Sequence, residues 1–214
     1  MKIIAVEGID GCGKQTQVAR LLTALQNQGR SVFTVSFPRY GSFWGRLIKR
    51  YLHGELGQQT PLAAALLFAA DRADFRPCLE HNAHYHDVVV IDRYVLSNMA
   101  HQAARCATPA AADQLVSTLR DIEYTQNKLP TPDLTIYLDA DPDCCAAAMQ
   151  GRTVLDQHEK NRQYQRDVRA QYQRLVPTQL ASVTVSVTPG GVWRSRDEIA
   201  AECLAATTLV LPHC

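Results

Sequence analysis

A glycine-rich stretch near the start of the chain has the residues and the spacing needed to bind phosphate. In EGIDGCGKQTQ, Gly8, Gly13 and Lys14 match the pattern G-x-x-x-x-G-K of nucleotide-binding loops. Glycines allow such a loop to turn its backbone N–H groups toward phosphate oxygens, and the lysine brings positive charge to the β and γ phosphates. The stretch therefore predicts a nucleotide-binding loop rather than a turn that holds nothing. Its residues are Gly8, Ile9, Asp10, Gly11, Cys12, Gly13, Lys14, Gln15 and Thr16.

Two residues of the loop depart from a plain phosphate site. The pattern has Ser or Thr after the lysine, because that hydroxyl usually binds magnesium, and this chain has Gln15 there. An amide oxygen is a poorer Mg²⁺ ligand than a hydroxyl held at the loop, whereas Thr16 keeps a hydroxyl for a phosphate contact. Asp10 is the second departure, because a carboxylate repels phosphate unless it faces a metal ion or a substrate hydroxyl. Asp10 therefore points to a second ligand beside the nucleotide.

The pattern of apolar residues predicts the elements that must position this loop. Predicted strands cover 3–6, 32–37, 87–92, 134–138 and 183–187, and predicted helices cover 17–27, 44–52, 62–79, 110–127, 142–149, 159–175 and 199–206. Strands that alternate with helices in this way indicate an α/β fold, with a five-stranded parallel sheet flanked by helices on both faces. The connection between the second and third strands is long, and such connections at the carboxyl edge usually build the ligand site.

The composition indicates one ordinary soluble domain over residues 1–214. The chain has 46% hydrophobic and 20% charged residues and a net charge of +1, which gives no reason to expect nucleic acid or an anionic membrane as a partner. Its longest apolar run, 62–70, is too short to cross a bilayer. Seven cysteines without a C-x-x-C pair suit a reducing compartment, so we expect a cytoplasmic protein.

A group of histidines, His81, His84 and His86, admits two interpretations. Three histidines within six positions could bind a metal ion, but no second cluster with the spacing of a known site accompanies them. The other interpretation is a solvated helix end, where histidine suits the negative end of the helix dipole. We expect the helix end.

Five segments, in order along the chain, resemble the thymidylate kinase family, whose members are P-loop kinases that phosphorylate dTMP from ATP. They are EGIDGCGKQTQ (7–17), FPRYG (37–41), LFAADR (67–72), IDRYVLSN (91–98) and DQHE (156–159). The resemblance covers residues 1 to about 175 and is specific as a set. It implies a three-layer P-loop kinase fold with a substrate-binding helical segment at about 38–86 and a lid at about 150–160. It also implies ATP and dTMP as substrates, Mg²⁺ as cofactor, and a homodimer.

By this resemblance, the middle segments recognise the base of dTMP. Phe68 would lie against the thymine ring, with Arg72 and Asn98 bonded to its edge. Further pocket residues implied by position are Phe37, Tyr40, Leu52, His101 and Asp156. An aromatic face combined with Asn and Arg is a common way to read a base edge. Taken alone, Phe68 on a helix rich in Ala and Leu would more often belong to the core, and Asp71 with Arg72 could be a surface ion pair.

The resemblance also implies how the reacting groups are held. Asp10 would contact the sugar 3′-hydroxyl and help to arrange Mg²⁺, and Asp92 would help to place the metal. Arg93 would hold the acceptor phosphate, with Tyr40 nearby. Asp92 and Arg93 could otherwise form a strand-end salt bridge. His101 stands where some relatives carry a tyrosine near the sugar 2′ position, which leaves the selection for deoxyribose open.

Members of this family place a catalytic arginine either in the phosphate loop or in the lid. Gly11 and Cys12 leave this loop without one, so the resemblance points to Arg152 in GRTVLD. The catalytic set is thus Asp10, Lys14, Arg93 and Arg152. Two alternatives to a dTMP kinase are a kinase for another nucleoside monophosphate and a regulatory paralogue that binds nucleotides with little turnover.

Overall fold

The computed structural model describes residues 1–150 and 161–211. Five parallel strands form one sheet in the order β2-β3-β1-β4-β5. They are β1 (Lys2–Glu7), β2 (Val32–Ser36), β3 (Val88–Asp92), β4 (Leu134–Asp139) and β5 (Ser182–Ser186). The helices of the described ranges are α1 (Lys14–Asn27), α2 (Phe43–Leu52), α3 (Pro61–Asn82), α4 (Val95–Ala103), α5 (Pro109–Arg120), α6 (Pro142–Ala148), α7 (Arg162–Leu175) and α8 (Arg196–Val210). The predicted α/β architecture with five parallel strands is confirmed.

The register of the sheet places the carboxyl ends of β1 and β3 side by side. β1 lies at the centre, between β3 and β4, and β3 is buried along its whole length. Val6 is opposite Asp92, and Glu7 is opposite Tyr137. Because all strands run the same way, the loop after β1 and the turn after β3 lie side by side at the carboxyl edge. Ligands bind at this edge in open α/β sheets.

The sequence pattern did not predict helix α4. Eight of its nine residues are buried, and its polar residues Ser97, Asn98 and His101 face a cleft at the carboxyl edge of the sheet rather than the outer surface. The predicted helix 110–127 is α5 followed by a short π-helical turn, Asp121–Gln126. Helix α3 runs to Asn82, past the predicted end and through Pro77. His81 therefore lies in the last turn of a helix, as expected.

The segment between β2 and β3 forms a helical arm with its own small core. Ile48, Tyr51, Leu52 and Ala64 are buried there, and Phe68 packs against them. Buried apolar surface of this kind stabilises the arm, in addition to the contacts that α3 makes with the main core through Ala65 and Leu79.

Polar bonds fasten the start of this arm to helix α3. Arg39 donates to the buried Asp71 carboxylate through its backbone N–H (2.8 Å) and its Nε (3.0 Å), and Ser42 donates to the same carboxylate (2.8 Å).

None of the helices in the described ranges has the length and apolar composition of a membrane-spanning segment.

Candidate active site

A cleft at the carboxyl edge of the sheet gathers most of the predicted substrate residues. It is lined by Asp10, Phe37, Pro38, Tyr40, Leu52, Phe68, Arg72, Arg93, Tyr94, Ser97, Asn98, His101, Gln102 and Tyr164. Nine of these are residues that the sequence assigned to the substrate site. They come from the β1 loop, the β2–α2 loop, the turn after β3 and helices α2, α3 and α4, so the fold brings together segments far apart in the chain. Their individual roles remain predictions.

The phosphate loop has the backbone conformation that its glycines permit. Gly11 and Gly13 have φ angles of 79° and 93°, in the left-handed region that favours glycine. A Cβ on Gly8 would lie 2.8 Å from the Leu138 carbonyl oxygen, so a larger residue does not fit there. Lys14 is buried, and its Nζ donates to the carbonyl oxygens of Gly8 (3.0 Å) and Ile9 (2.7 Å). The lysine thus lies folded over the loop that would hold the phosphates.

Arg93 and Asp10 form an ion pair between this loop and the turn after β3. Arg93 has a φ angle of 65°, and its Nη1 donates to Ser97 Oγ (3.0 Å) and the Gly8 carbonyl (3.2 Å), while its Nη2 pairs with Asp10. The other Asp10 oxygen accepts a bond from Gln165 Nε2 at 2.9 Å. Burial alone raises the pKa of Asp10, but the charge of Arg93 outweighs it and holds that pKa below its usual range. The guanidinium is therefore fixed in one orientation.

A buried glutamate, Glu7, binds the backbone that directly follows Arg93. Its carboxylate accepts bonds from the backbone N–H groups of Tyr94 (2.8 Å) and Ser97 (3.3 Å) and from the Tyr172 hydroxyl (3.0 Å). Burial raises its pKa, and these bonds and the nearby cations oppose that rise. Glu7 thereby satisfies the free N–H groups at the start of α4. Sequence reasoning missed it, although a glutamate that ends an apolar strand was a visible signal.

At the far end of the cleft, a buried carboxylate, Glu123, contacts Arg72 and Asn98, and sequence reasoning missed it. Glu123, from the π-helical turn, pairs with Arg72 and accepts a bond from Asn98 Nδ2 at 3.1 Å. Asn98 Nδ2 also donates to the Ala65 carbonyl (3.1 Å), whereas Asn98 Oδ1 is buried and has no hydrogen-bond partner among the described residues. Arg72 is therefore not half of a surface pair with Asp71. The arrangement leaves one amide oxygen available as an acceptor.

Asp92 is the described carboxylate that best fits a metal ion. It is buried, and its Oδ1 has no hydrogen-bond partner in the described ranges. It does not form the salt bridge with Arg93 that the sequence allowed, because Arg93 pairs with Asp10 instead. Carboxylate oxygen is a preferred ligand of Mg²⁺. Both oxygens of Asp10 are already engaged, so Asp10 would have to exchange a partner to contact the same ion.

Helix α7 contributes to the site through residues that sequence reasoning missed. Tyr164 lies 3.0 Å from His101 Nδ1, and His101 Nε2 accepts from Arg93 Nη1 at 3.3 Å. Gln165, buried on the same turn, bonds to Asp10 as described. The helix is rich in Arg and Gln and looks solvated in sequence, which concealed these contacts. Of its arginines, Arg166 is exposed, whereas Arg169 makes a partly buried bidentate pair with Asp139.

A second cavity lies on the other side of the phosphate loop. Its volume is about 410 Å³. It is lined by Gly11, Cys12, Gly13, Thr16, Gln17, Ala148, Met149, Val187, Trp193, Arg194, Arg196 and Ile199. The loop thus has a cavity on each side, and a phosphoryl group could pass between them. Arg152 and Asp156 lie outside the described residues.

Comparison with known proteins identifies the family. A sequence profile described as thymidylate kinase matches residues 6–192. The thymidylate kinase of Mycobacterium tuberculosis is 38% identical over 172 residues, covering 79% of this chain and 80% of that protein. That of Clavibacter sepedonicus is 37% identical over 165 residues, covering 74% and 73%. A solved thymidylate kinase structure from Candida albicans matches the fold with a TM-score of 0.75 at 22% identity, over 97% of this chain and 91% of that one. The chain belongs to the thymidylate kinase family.

Proposed function

We propose that this protein transfers the γ-phosphoryl group of ATP to dTMP and forms dTDP. The observation that carries the proposal is the pair of cavities on opposite sides of one phosphate loop. Phosphoryl transfer needs two phosphates in line and positive charge where negative charge accumulates, with little covalent help from the protein. Lys14 on the loop and Arg93 in the cleft supply that charge.

The chemistry of the cleft suits thymine. The unpartnered Asn98 Oδ1 would accept a hydrogen bond from the ring N3–H, a donor that thymine has and cytosine lacks. Arg72, held by Glu123, would donate to a carbonyl oxygen of the base, and Phe68 would lie against the ring. A buried polar group left without a partner is costly, so a base without the N–H would bind less well.

The reacting phosphates would be held between the two cavities. Arg93 would clamp the acceptor phosphate, because its fork is already oriented by Ser97 and Asp10. Asp10 would receive the sugar 3′-hydroxyl, and Tyr40, half exposed at the mouth of the cleft, would lie near the phosphate. Arg152 from the lid would add charge to the transferring group, as the sequence predicts. Holding both phosphates in line lowers the entropic part of the barrier.

Magnesium would be held by Asp92, with Asp10 and the phosphate oxygens completing its coordination. When bound, it would neutralise charge on the β and γ phosphates. Gln15, whose side chain is exposed, takes the place of the usual hydroxyl, so the carboxylates carry more of the metal binding here. We further propose that the protein acts in the cytoplasm as a homodimer, as its family implies.

An acceptor panel tests this function. ADP release is measured by a coupled assay with ATP, Mg²⁺ and one monophosphate at a time: dTMP, dUMP, dCMP, UMP and ribosylthymine monophosphate. We expect dTMP to give the highest kcat/KM, with dCMP lower by at least tenfold because it lacks the N3–H. Faster turnover of another monophosphate would assign the chain a different acceptor. Nucleotide binding without release of ADP would identify a regulatory protein.

A further inference from the structure

We propose that Trp193 stacks on the base of the phosphoryl donor and sets its preference for purines. This inference rests on the proposed function, because it assumes that the phosphate loop holds the triphosphate of a donor nucleotide. Trp193 is 40% exposed and lines the cavity next to the phosphate loop, between strand β5 and helix α8. A large aromatic residue that is accessible inside a cavity is typical of a site for a flat ligand.

The dimensions of the cavity favour a nucleoside. Gly13 and Thr16, at the start of α1, form its phosphate end. A volume of about 410 Å³ exceeds what phosphates alone require and falls within the range of small-molecule sites. With the triphosphate on the loop, the rest of the donor must extend away from it, and Trp193 offers a flat apolar face there.

Hydrogen bonds hold the backbone on both sides of Trp193, and on the preceding side Val192 N–H donates to the Pro189 carbonyl at 3.2 Å. Arg194 N–H donates to the Val187 carbonyl (2.9 Å), and Arg194 Nη1 donates to the Ser186 carbonyl (2.9 Å) and to Glu202 (2.7 Å). Ser195 then begins helix α8 with a capping box that includes Glu198. Preorganisation of this kind lowers the entropic cost of binding.

The polar side chains of the cavity offer little for the edge of a base. Arg194 is already bonded to Ser186 and Glu202, and Gln17 Nε2 donates to the Arg196 carbonyl at 3.3 Å. Gln17 Oε1 has no hydrogen-bond partner among the described residues, but this atom is buried away from the open space of the cavity. Stacking depends on ring area rather than on edge groups. We therefore expect ATP and GTP to serve as donors with similar KM values, and CTP and UTP to be weaker.

Substitution of the ring tests this role by kinetics. Trp193→Ala should raise the KM for ATP about tenfold and leave the KM for dTMP within about twofold, since stacking on one base supplies an effect of this size. Trp193→Phe should recover most of the loss. Val192→Ala is a matched control, because Val192 is exposed beside Trp193 and does not line the cavity. An unchanged KM for ATP in Trp193→Ala would overturn the proposal.

A binding measurement separates this proposal from the proposed activity. The chain has two tryptophans, so Trp44→Phe leaves Trp193 as the single indole fluorophore. Titration of this variant with ATP and without dTMP should quench the fluorescence, whereas inorganic tripolyphosphate, which has no base, should not. Equal responses to both would contradict stacking. Failure of the proposed function would instead show as absent dTMP-dependent ADP release by the wild-type enzyme.

Discussion

At the residue scale, Arg93 connects the two halves of the cleft. Its guanidinium contacts the phosphate loop, helix α4 and Asp10 together, and Glu7 supports the backbone just after it. Its two Nη atoms bond to different partners, and an ammonium group cannot replace this partly buried guanidinium without loss of that geometry. The site therefore depends on this side chain for shape as well as for charge.

Replacement of Arg93 should separate charge from geometry. Arg93→Ala is expected to lower kcat/KM for dTMP at least a thousandfold, because the acceptor phosphate loses its clamp and Asp10 is left without its counter-ion. Arg93→Lys keeps the charge but not the fork, and should recover less than a tenth of wild-type activity. Steady-state kinetics measure both effects. Near-normal turnover in Arg93→Lys would show that orientation is unimportant.

Arg152 has a different expected signature. We predict that Arg152→Ala lowers kcat far more than it raises the KM for dTMP, because a group that contacts only the transferring phosphoryl acts in the transition state. Arg162→Ala, on the exposed first turn of α7, is the matched control and should behave like wild type. Equal activity of Arg152→Ala and wild type would remove Arg152 from the mechanism.

At the element scale, the start of helix α2 sets the position of the acceptor cleft. Gly45 lies so near the preceding loop that a Cβ would be 1.8 Å from the Arg39 carbonyl oxygen. That loop carries Phe37 and Tyr40 into the cleft and is tied to helix α3 through Asp71. The close approach of α2 therefore fixes one wall of the proposed dTMP site.

Gly45→Ala should consequently raise the KM for dTMP by more than tenfold and lower the Tm, because the loop must shift to admit the methyl group. Overpacking typically costs about 1–3 kcal/mol. Gly41→Ala is the control, since a Cβ there meets nothing within 4 Å. Kinetics and thermal unfolding of the two variants make the comparison. Similar KM values for both would show that this contact does not position the cleft.

The elements also show what the sequence can predict. The strands have a local signal, namely apolar runs, and were predicted correctly. The glycine spacing of the phosphate loop is also a local signal, and Gly11 and Gly13 adopt the backbone angles that glycine favours. Helix α4 was missed because it is only nine residues long and its polar residues face the cleft rather than solvent, so it lacks the outer polar face of a surface helix. Glu123 and Gln165 were missed because their partners lie 25 to 155 residues away, and no local pattern encodes such contacts.

At the scale of the whole molecule, buried carboxylates should make stability depend on pH. Burial has the largest single effect on the pKa of Asp139 and raises that pKa. The hydrogen bonds and charge of Arg169, with the hydrogen bond from Tyr137, together outweigh burial, so the pKa of Asp139 lies below its usual value. Asp10 behaves in the same way through Arg93. The carboxyl group of an unfolded aspartate has a pKa near 4. Because the pKa is lower in the folded state, the ionised group stabilises the fold above about pH 4, and this stabilisation is lost as the pH falls from that value through the folded-state pKa.

Asp139→Asn should therefore be less stable than wild type at pH 7 and should lose less stability between pH 5 and pH 3. The pair is partly exposed, so the difference at pH 7 is expected to be modest, about 1 kcal/mol. Urea unfolding at a series of pH values measures it. Parallel pH profiles for the two proteins would mean that the Asp139–Arg169 pair does not link α7 to the sheet energetically.

The central claim is that this chain moves a phosphoryl group from ATP to dTMP. The most direct measurement follows the γ-³²P label of ATP into nucleotide products, in the presence of Mg²⁺ and dTMP. We predict that the label appears in dTDP, at a rate that Arg93→Ala reduces at least a thousandfold. Label found only in inorganic phosphate, or in dTDP equally fast with Arg93→Ala, would contradict the account.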